Sequence, residues 1–163
     1  MERVGLFLQR AAVDRRNTDE FDMFGRSSFN RYYYATFLVA RALILEFEPQ
    51  WQAVHADLPN YLKATVFREI DRFRKQSVRR QNDEAVRICN QAIAAVRSLA
   101  TLLSNAYPVR IAADYQPEIP VTSPDGDRFS LANVSINAAH SWSNEARAYA
   151  AVIRRGWRLS RGL

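Results

Sequence analysis

Residues 27–47 limit the fold more than any other part of the chain, because they contain neither Gly nor Pro and are followed two residues later by Pro49. Ser27 and Ser28 are candidate N-caps, so the stretch predicts one long helix of about 30 Å. With side chains turning by about 100° per residue, Phe29, Tyr33, Phe37, Ala40, Ile44 and Phe47 share one face, the core face. Tyr34, Leu38 and Leu45 lie on the far side, and Tyr32, Val39 and Leu43 flank the first stripe. A helix so nearly encircled by apolar groups is central in a bundle or shared with a partner. Arg31 stands on the second face, where a guanidinium needs a carboxylate, a phosphate or water. Two readings stay open: a structural ion pair or cation lying over tyrosine rings, and a phosphate-binding arginine in a cleft.

The rest of the chain supplies helices to pack against it. Val4, Phe7, Leu8, Ala11 and Ala12 predict a short amphipathic helix over 4–13, followed by a polar connector and an apolar tether at Phe21, Met23 and Phe24 before Gly25. Trp51 anchors a connection that holds His55, a residue that serves either as general base or as a capping and packing group. Pro59 or Asn60 opens a third helix with Leu62, Val66, Ile70 and Phe73 inward, and Lys63, Arg68, Arg72, Arg74 and Lys75 outward, running into Arg79 and Arg80. That basic face is either solvated or a nucleic-acid contact. A fourth helix is expected from an Asn82 or Asp83 cap to about residue 106, ended by Pro108. Its inward stripe is Val86, Ile93, Val96, Ala100 and Leu103. Pro117, Pro120, Pro124 and the Asp125-Gly126 turn signal predict a long ordered loop over 109–134, with a small hairpin as one option. The last helix is expected over about 135–158, with Ala138, Trp142, Ala146, Tyr149, Ile153 and Trp157 inward. His140, Asn144, Arg147, Arg154 and Arg158 fall on the opposite face.

A chain of 163 residues with 48% hydrophobic content, 5 Gly and 6 Pro fits one helix-rich domain over 1–163, with its core at about 20–160. Cys89 is the single cysteine, which leaves neither a disulfide framework nor a cysteine-based zinc site within one chain and fits a reducing, cytoplasmic setting. Arg31 and Arg41 interrupt the longest apolar run, and the first ten residues do not form a secretory signal, so no membrane association is expected. The 23 Lys+Arg outnumber 17 Asp+Glu, and only Lys63 and Lys75 are lysines. Such forked donors suit phosphate and make RNA or DNA a reasonable partner, although a GC-rich genome also exchanges Lys for Arg.

The sequence contains no glycine-rich phosphate loop, dinucleotide fingerprint, His-Glu-x-x-His or nucleophile-elbow serine, and no metal or cofactor is expected. What stands out is Arg110-Ile111-Ala112-Ala113-Asp114-Tyr115, just after Pro108. Asp114 can pair with Arg31 or Arg110, either as a latch between the second helix and the loop, or within a phosphate-binding cleft lined by Arg31, Arg110 and tyrosines.

Asn30-Arg31-Tyr32-Tyr33-Tyr34-Ala35-Thr36-Phe37 resembles the Ser-Arg-x-Tyr-Tyr-Ala-x-Phe helix of HEPN-domain proteins (higher eukaryotes and prokaryotes nucleotide-binding). The Arg110 to Tyr115 segment is similar to the Arg-x-x-x-Ala-Asp-Tyr segment of one branch of them. The resemblance implies an all-α bundle of about five helices, commonly a homodimer, encoded beside toxin–antitoxin or anti-phage systems. Many such proteins are metal-independent endoribonucleases whose Arg-x4-6-His motifs meet at the dimer interface. This chain lacks that motif, since no histidine follows Arg110 at the required distance.

The resulting expectation is an RNA-binding or RNA-cleaving HEPN-like module of a bacterial defence or toxin–antitoxin system. Its alternative is a non-catalytic dimerisation or adaptor module that binds a protein such as a nucleotidyltransferase antitoxin. For chemistry, the candidates are Arg110 as phosphate clamp, Asp114 as its orienter or a proton acceptor, Tyr115 as stacking group or proton donor, and Arg31. For nucleic-acid contact they are Arg31, Tyr34, Arg68, Arg72 and Arg147.

Overall fold

The computed structural model describes residues 1–52, 55–125 and 128–162. Among them the chain is all-α in character: α1 (Glu2–Asp14), α2 (Glu20–Phe47), α3 (Leu58–Tyr61), a π-helical turn (Leu62–Val66), α4 (Phe67–Arg79), α5 (Asp83–Tyr115) and α6 (Ile136–Arg161). A 3-10 turn (His55–Asp57) precedes α3, and three short strands, β1 (Thr122–Asp125), β2 (Arg128–Leu131) and β3 (Val134–Ser135), form an antiparallel sheet in the order β1-β2-β3. No helix among the described residues is long and apolar enough to cross a membrane.

Two boundaries differ from expectation by several residues, and each has a physical reason. α2 starts before Ser27 and Ser28: Thr18 Oγ1 accepts from the Glu20 amide at 3.3 Å, and Glu20 and Asp22 place negative charge on the first turn. Ser28 is therefore inside the helix, donating to the Gly25 carbonyl at 2.6 Å. α5 runs through Pro108 to Tyr115, so the loop expected from 109 begins only after the helix. Val109 and Ala112 beyond the proline are 2% and 1% exposed, and their burial offsets the lost N–H. The remainder of the expected loop holds the sheet, whose β2–β3 turn places Ala132 and Asn133 at φ 49° and 63°, the left-handed geometry of a two-residue hairpin. Of the turn expected at Asp125-Gly126, Gly126 lies outside the described residues. The expected Asn82 cap is in place, its Oδ1 accepting from the Ala85 amide at 3.0 Å, and Ser135 Oγ caps α6 in the same way, accepting from the Ala138 amide at 3.2 Å.

The chain divides into two compact units, residues 1–38 with 105–144 and residues 39–104 with 145–163. In the first, Phe29, Tyr33 and Phe37 are buried as their spacing predicts, and Tyr32, which flanks that stripe, is fully buried as well. Phe129 of β2 packs edge-on against Phe21 and Phe29, with centroids at 5.6 and 5.9 Å, which seats the sheet on α2. Gly5 of α1 lies against the Tyr32 ring, where a Cβ would come within 2.8 Å. α1 accordingly faces inward through Gly5, Ala11 and Ala12, leaving Val4 and Phe7 exposed rather than buried. On α6, Ala138 is exposed, and His140, expected on the outer face, lies 5.1 Å from the Tyr32 ring.

In the second unit Leu58, Leu62, Val66 and Ile70 are fully buried along α3, the π turn and α4, together with Ala40, Leu43 and Ile44 of α2. Phe47 stacks on Trp157 at 4.4 Å. α5 and α6 approach closely, since a Cβ on Gly156 would stand 2.3 Å from that of Ala92. Cys89 is buried in the same core, and burial raises its pKa above the ordinary thiol value.

Candidate functional site

In the first unit the last turns of α5 present Arg110, Asp114 and Tyr115 beside α2. Arg110 and Asp114 are four apart, so helical geometry puts them on one face. The Arg110 Nε lies 3.0 Å from Asp114 Oδ2, out of line for a hydrogen bond, so this contact is ionic. Arg110 Nη2 donates to the hydroxyls of Tyr34 at 3.4 Å and Tyr115 at 3.3 Å, and its Cζ sits 6.0 and 5.0 Å from their rings. Burial opposes the Arg110 charge, but the two hydroxyls and the Asp114 carboxylate outweigh it and hold the pKa above the usual arginine value. Beneath this cluster the Tyr33 hydroxyl is raised well above its ordinary range, by burial first and then by neighbouring Tyr107.

Asp114 is engaged on both oxygens, because Asn30 Nδ2 donates to Oδ1. Of the two partners expected for Asp114, Arg110 is the ion-paired one. Arg31 instead lines a polar pocket of about 160 Å³ with Arg26, Ser27, Asn30, Ala113 and Asp114. Its Nη1 reaches Met1 Sδ at 4.0 Å, and no carboxylate among the described residues forms an ion pair with it. Thus Tyr34, Arg110, Asp114 and Tyr115 form one cluster, and Arg31 adjoins it through the pocket.

Sequence reasoning missed Arg26, which organises this end of the unit. Its guanidinium pairs with Asp22 and donates to the carbonyls of Ala112 at 2.8 Å, Gln116 at 3.1 Å, Pro117 at 3.1 Å and, at close range, Ile119. It thereby ties the last turn of α5, through Ala112, to the turn that follows it, and gives the Pro117 and Ile119 carbonyls a donor. An Asp-x-x-x-Arg pair was visible in the sequence, but main-chain acceptors carry no residue signature. Asp22 Oδ1 also accepts from the Val121 amide at 2.8 Å, which ties down the start of the sheet segment.

The other expected nucleic-acid contacts belong to the second unit. Arg68 is exposed on α4, Arg72 is exposed and 3.1 Å from Glu69, and Arg147 is exposed on α6. Of the remaining basic residues of α4, Arg74 and Lys75 share Asp71 at 2.7 and 2.8 Å. Hydrogen bonds from Lys75 and then Arg74 lower the Asp71 pKa. His55 is partly buried in its 3-10 turn.

Among the described residues no group of three or more His, Cys, Asp or Glu is placed to hold a metal ion. Compared with known proteins, the chain matches no family model and has no significant match to a curated protein or a solved structure.

Proposed function

We propose that the chain is a HEPN-like helical module that binds RNA through the first unit, in the toxin–antitoxin or anti-phage setting that the sequence resemblance implies. The observation that carries this reading is the uncompensated Arg31 guanidinium in a polar pocket shared with Asp114, next to an Arg110 already fixed by two tyrosine hydroxyls. Arg31 is the open phosphate donor, Arg110 the oriented one, and the Tyr115 ring, 65% exposed, is available to stack on a base. Binding is favoured over cleavage. A metal-independent cut needs a group that takes the ribose 2′-OH proton, and both oxygens of Asp114 are occupied by Asn30 and Arg110.

The test is retention of labelled single-stranded RNA by the purified protein at low salt, with Arg31→Ala, Arg110→Ala and Asp114→Ala variants of unchanged helical content. Losing one arginine–phosphate contact should weaken binding by about 10- to 100-fold and flatten the salt dependence. Intact RNA after long incubation with total RNA, with or without chelator, fits binding alone. Equal retention by the parent and both arginine variants contradicts the reading.

A second reading, the non-catalytic dimerisation or adaptor module, is favoured by the outward apolar side chains of the first unit: Leu38 is 42% and Phe7 68% exposed. Light scattering over a concentration series tests it, since Leu38→Glu should shift an assembled species toward monomer while leaving RNA retention unchanged.

A further inference from the structure

The second unit holds a different basic site. Ala151, Arg154, Arg155, Arg158 and Leu159 recur on one face of α6 and, with Ile88 of α5, line a pocket of about 360 Å³. The charges around it do not balance. Arg154 is held by both oxygens of Glu46 at 2.6 Å. Glu84 is already taken by both arms of Arg87 at 3.0 and 2.7 Å, and Arg155 reaches it only at 3.5 Å. Arg158 is exposed and makes no ion pair among the described residues, although its charge helps depress the Glu46 pKa after the dominant effect of the Arg154 hydrogen bond. Four guanidiniums thus share two carboxylates, and the surplus of two positive charges sits at the mouth of a pocket whose other walls are Ile88, Ala151 and Leu159.

From this arrangement we infer that the α5–α6 pocket of the second unit binds a phosphate monoester carried on an apolar or aromatic body no larger than one nucleoside. A monoester brings close to two negative charges to one point, matching the surplus, whereas each backbone phosphodiester brings one. The volume lies at the small end of the range for organic ligands, about 300 to 1,000 Å³. Arg154, immobilised by Glu46, supplies a fixed rim, while Arg158, and Arg155 on giving up its 3.5 Å approach to Glu84, close on the phosphate with forked hydrogen bonds. The apolar walls take the body that inorganic phosphate lacks. The inference stands whether or not the Arg110 cluster meets RNA, because it uses none of those residues.

Calorimetric titration with 5′-AMP, adenosine and inorganic phosphate tests it on the full chain. AMP should bind about tenfold or more tightly than either fragment, and its affinity should fall as pH drops through about 6, where the monoester gains a proton. Arg155→Gln and Arg158→Gln are surface changes expected to keep the melting temperature, and each should weaken AMP by about tenfold. A 5′-phosphorylated RNA tetramer that binds as well as AMP identifies a strand end as the source of the phosphate; a much weaker one identifies the free nucleotide. AMP binding no tighter than inorganic phosphate, or unchanged in both variants, overturns the inference.

Discussion

The two units stabilise their arginines by different means. In the first, Arg26 is gathered mainly by main-chain carbonyls and Arg110 by two tyrosine hydroxyls, with one carboxylate each. In the second, Arg74, Arg87 and Arg154 are matched to carboxylates by side-chain pairs. Neutral oxygens fix the orientation of guanidiniums that a carboxylate already pairs, so the first arrangement builds geometry, and its field comes from the neighbouring Arg31, which makes no ion pair among the described residues. Carboxylates cancel charge, so around the α5–α6 pocket of the second the surplus rests on the arginines that they hold weakly or not at all, Arg155 and Arg158.

Removing Arg26 tests the comparison most severely. Arg26→Ala leaves the Pro117 and Ile119 carbonyls without their donor, while those of Ala112 and Gln116 keep main-chain amides; at roughly 1 to 3 kcal/mol per unsatisfied acceptor, and without additivity, it should cost about 3 kcal/mol. For a chain of this size that is a fall of about 6 to 12 °C in thermal melting. A loss below 1 kcal/mol would mean that water replaces the guanidinium readily and that the carbonyl cage fixes little.

Pro108→Ala acts in the opposite direction and is smaller. It restores an N–H inside α5, so the melting temperature should rise by about 2 to 4 °C, the equivalent of roughly 1 kcal/mol. In the Arg26→Ala background the same change should recover part of the loss, because both act on the end of α5. Independent effects would separate the proline from the clasp.

The smallest effect distinguishes the two kinds of partner by pH. Glu46→Gln breaks a half-exposed pair and should cost less than about 1 kcal/mol at neutral pH. Arg154 lowers the Glu46 pKa below 4.5, so the pair contributes above that value and is lost as pH falls through the lower folded pKa. Melting curves of parent and variant should therefore converge in acid, whereas the part of the Arg26→Ala deficit that rests on carbonyls should persist over the same range.

Much of this was legible from residues alone. The stripe Phe29, Tyr33, Phe37, Ala40 and Ile44, the Asn82 cap, and the Arg110–Asp114 pair one turn apart all follow local rules. Expectation failed where distant partners decided the outcome. Pro108 signals a helix end, yet Arg26 and the burial of Val109 and Ala112 carry α5 past it. Ser27 and Ser28 resemble caps, but Thr18 and the acidic turn after it come first. The phase of α6 left His140 unassigned to its tyrosine, because ring contacts depend on which helix lies opposite. Arg26 was the costliest omission, since carbonyl oxygens belong to every residue type equally.

One further consequence lies in the π turn at Leu62–Val66. Leu58, Leu62, Val66 and Ile70 recur every fourth residue, and in a regular α-helix such a row would spiral away from the core by about 40° at each step. The wider turn takes up an extra residue and draws the row back into line. It works as a gear with one added tooth: deleting a single residue there would close the wider turn and keep the downstream phase, but forcing all its residues into a regular α-helix would turn every side chain downstream by about 100°. Arg68 and Arg72 would swing toward the interior and Ile70 toward water, so the orientation of the whole basic face of α4 is set by one irregular turn.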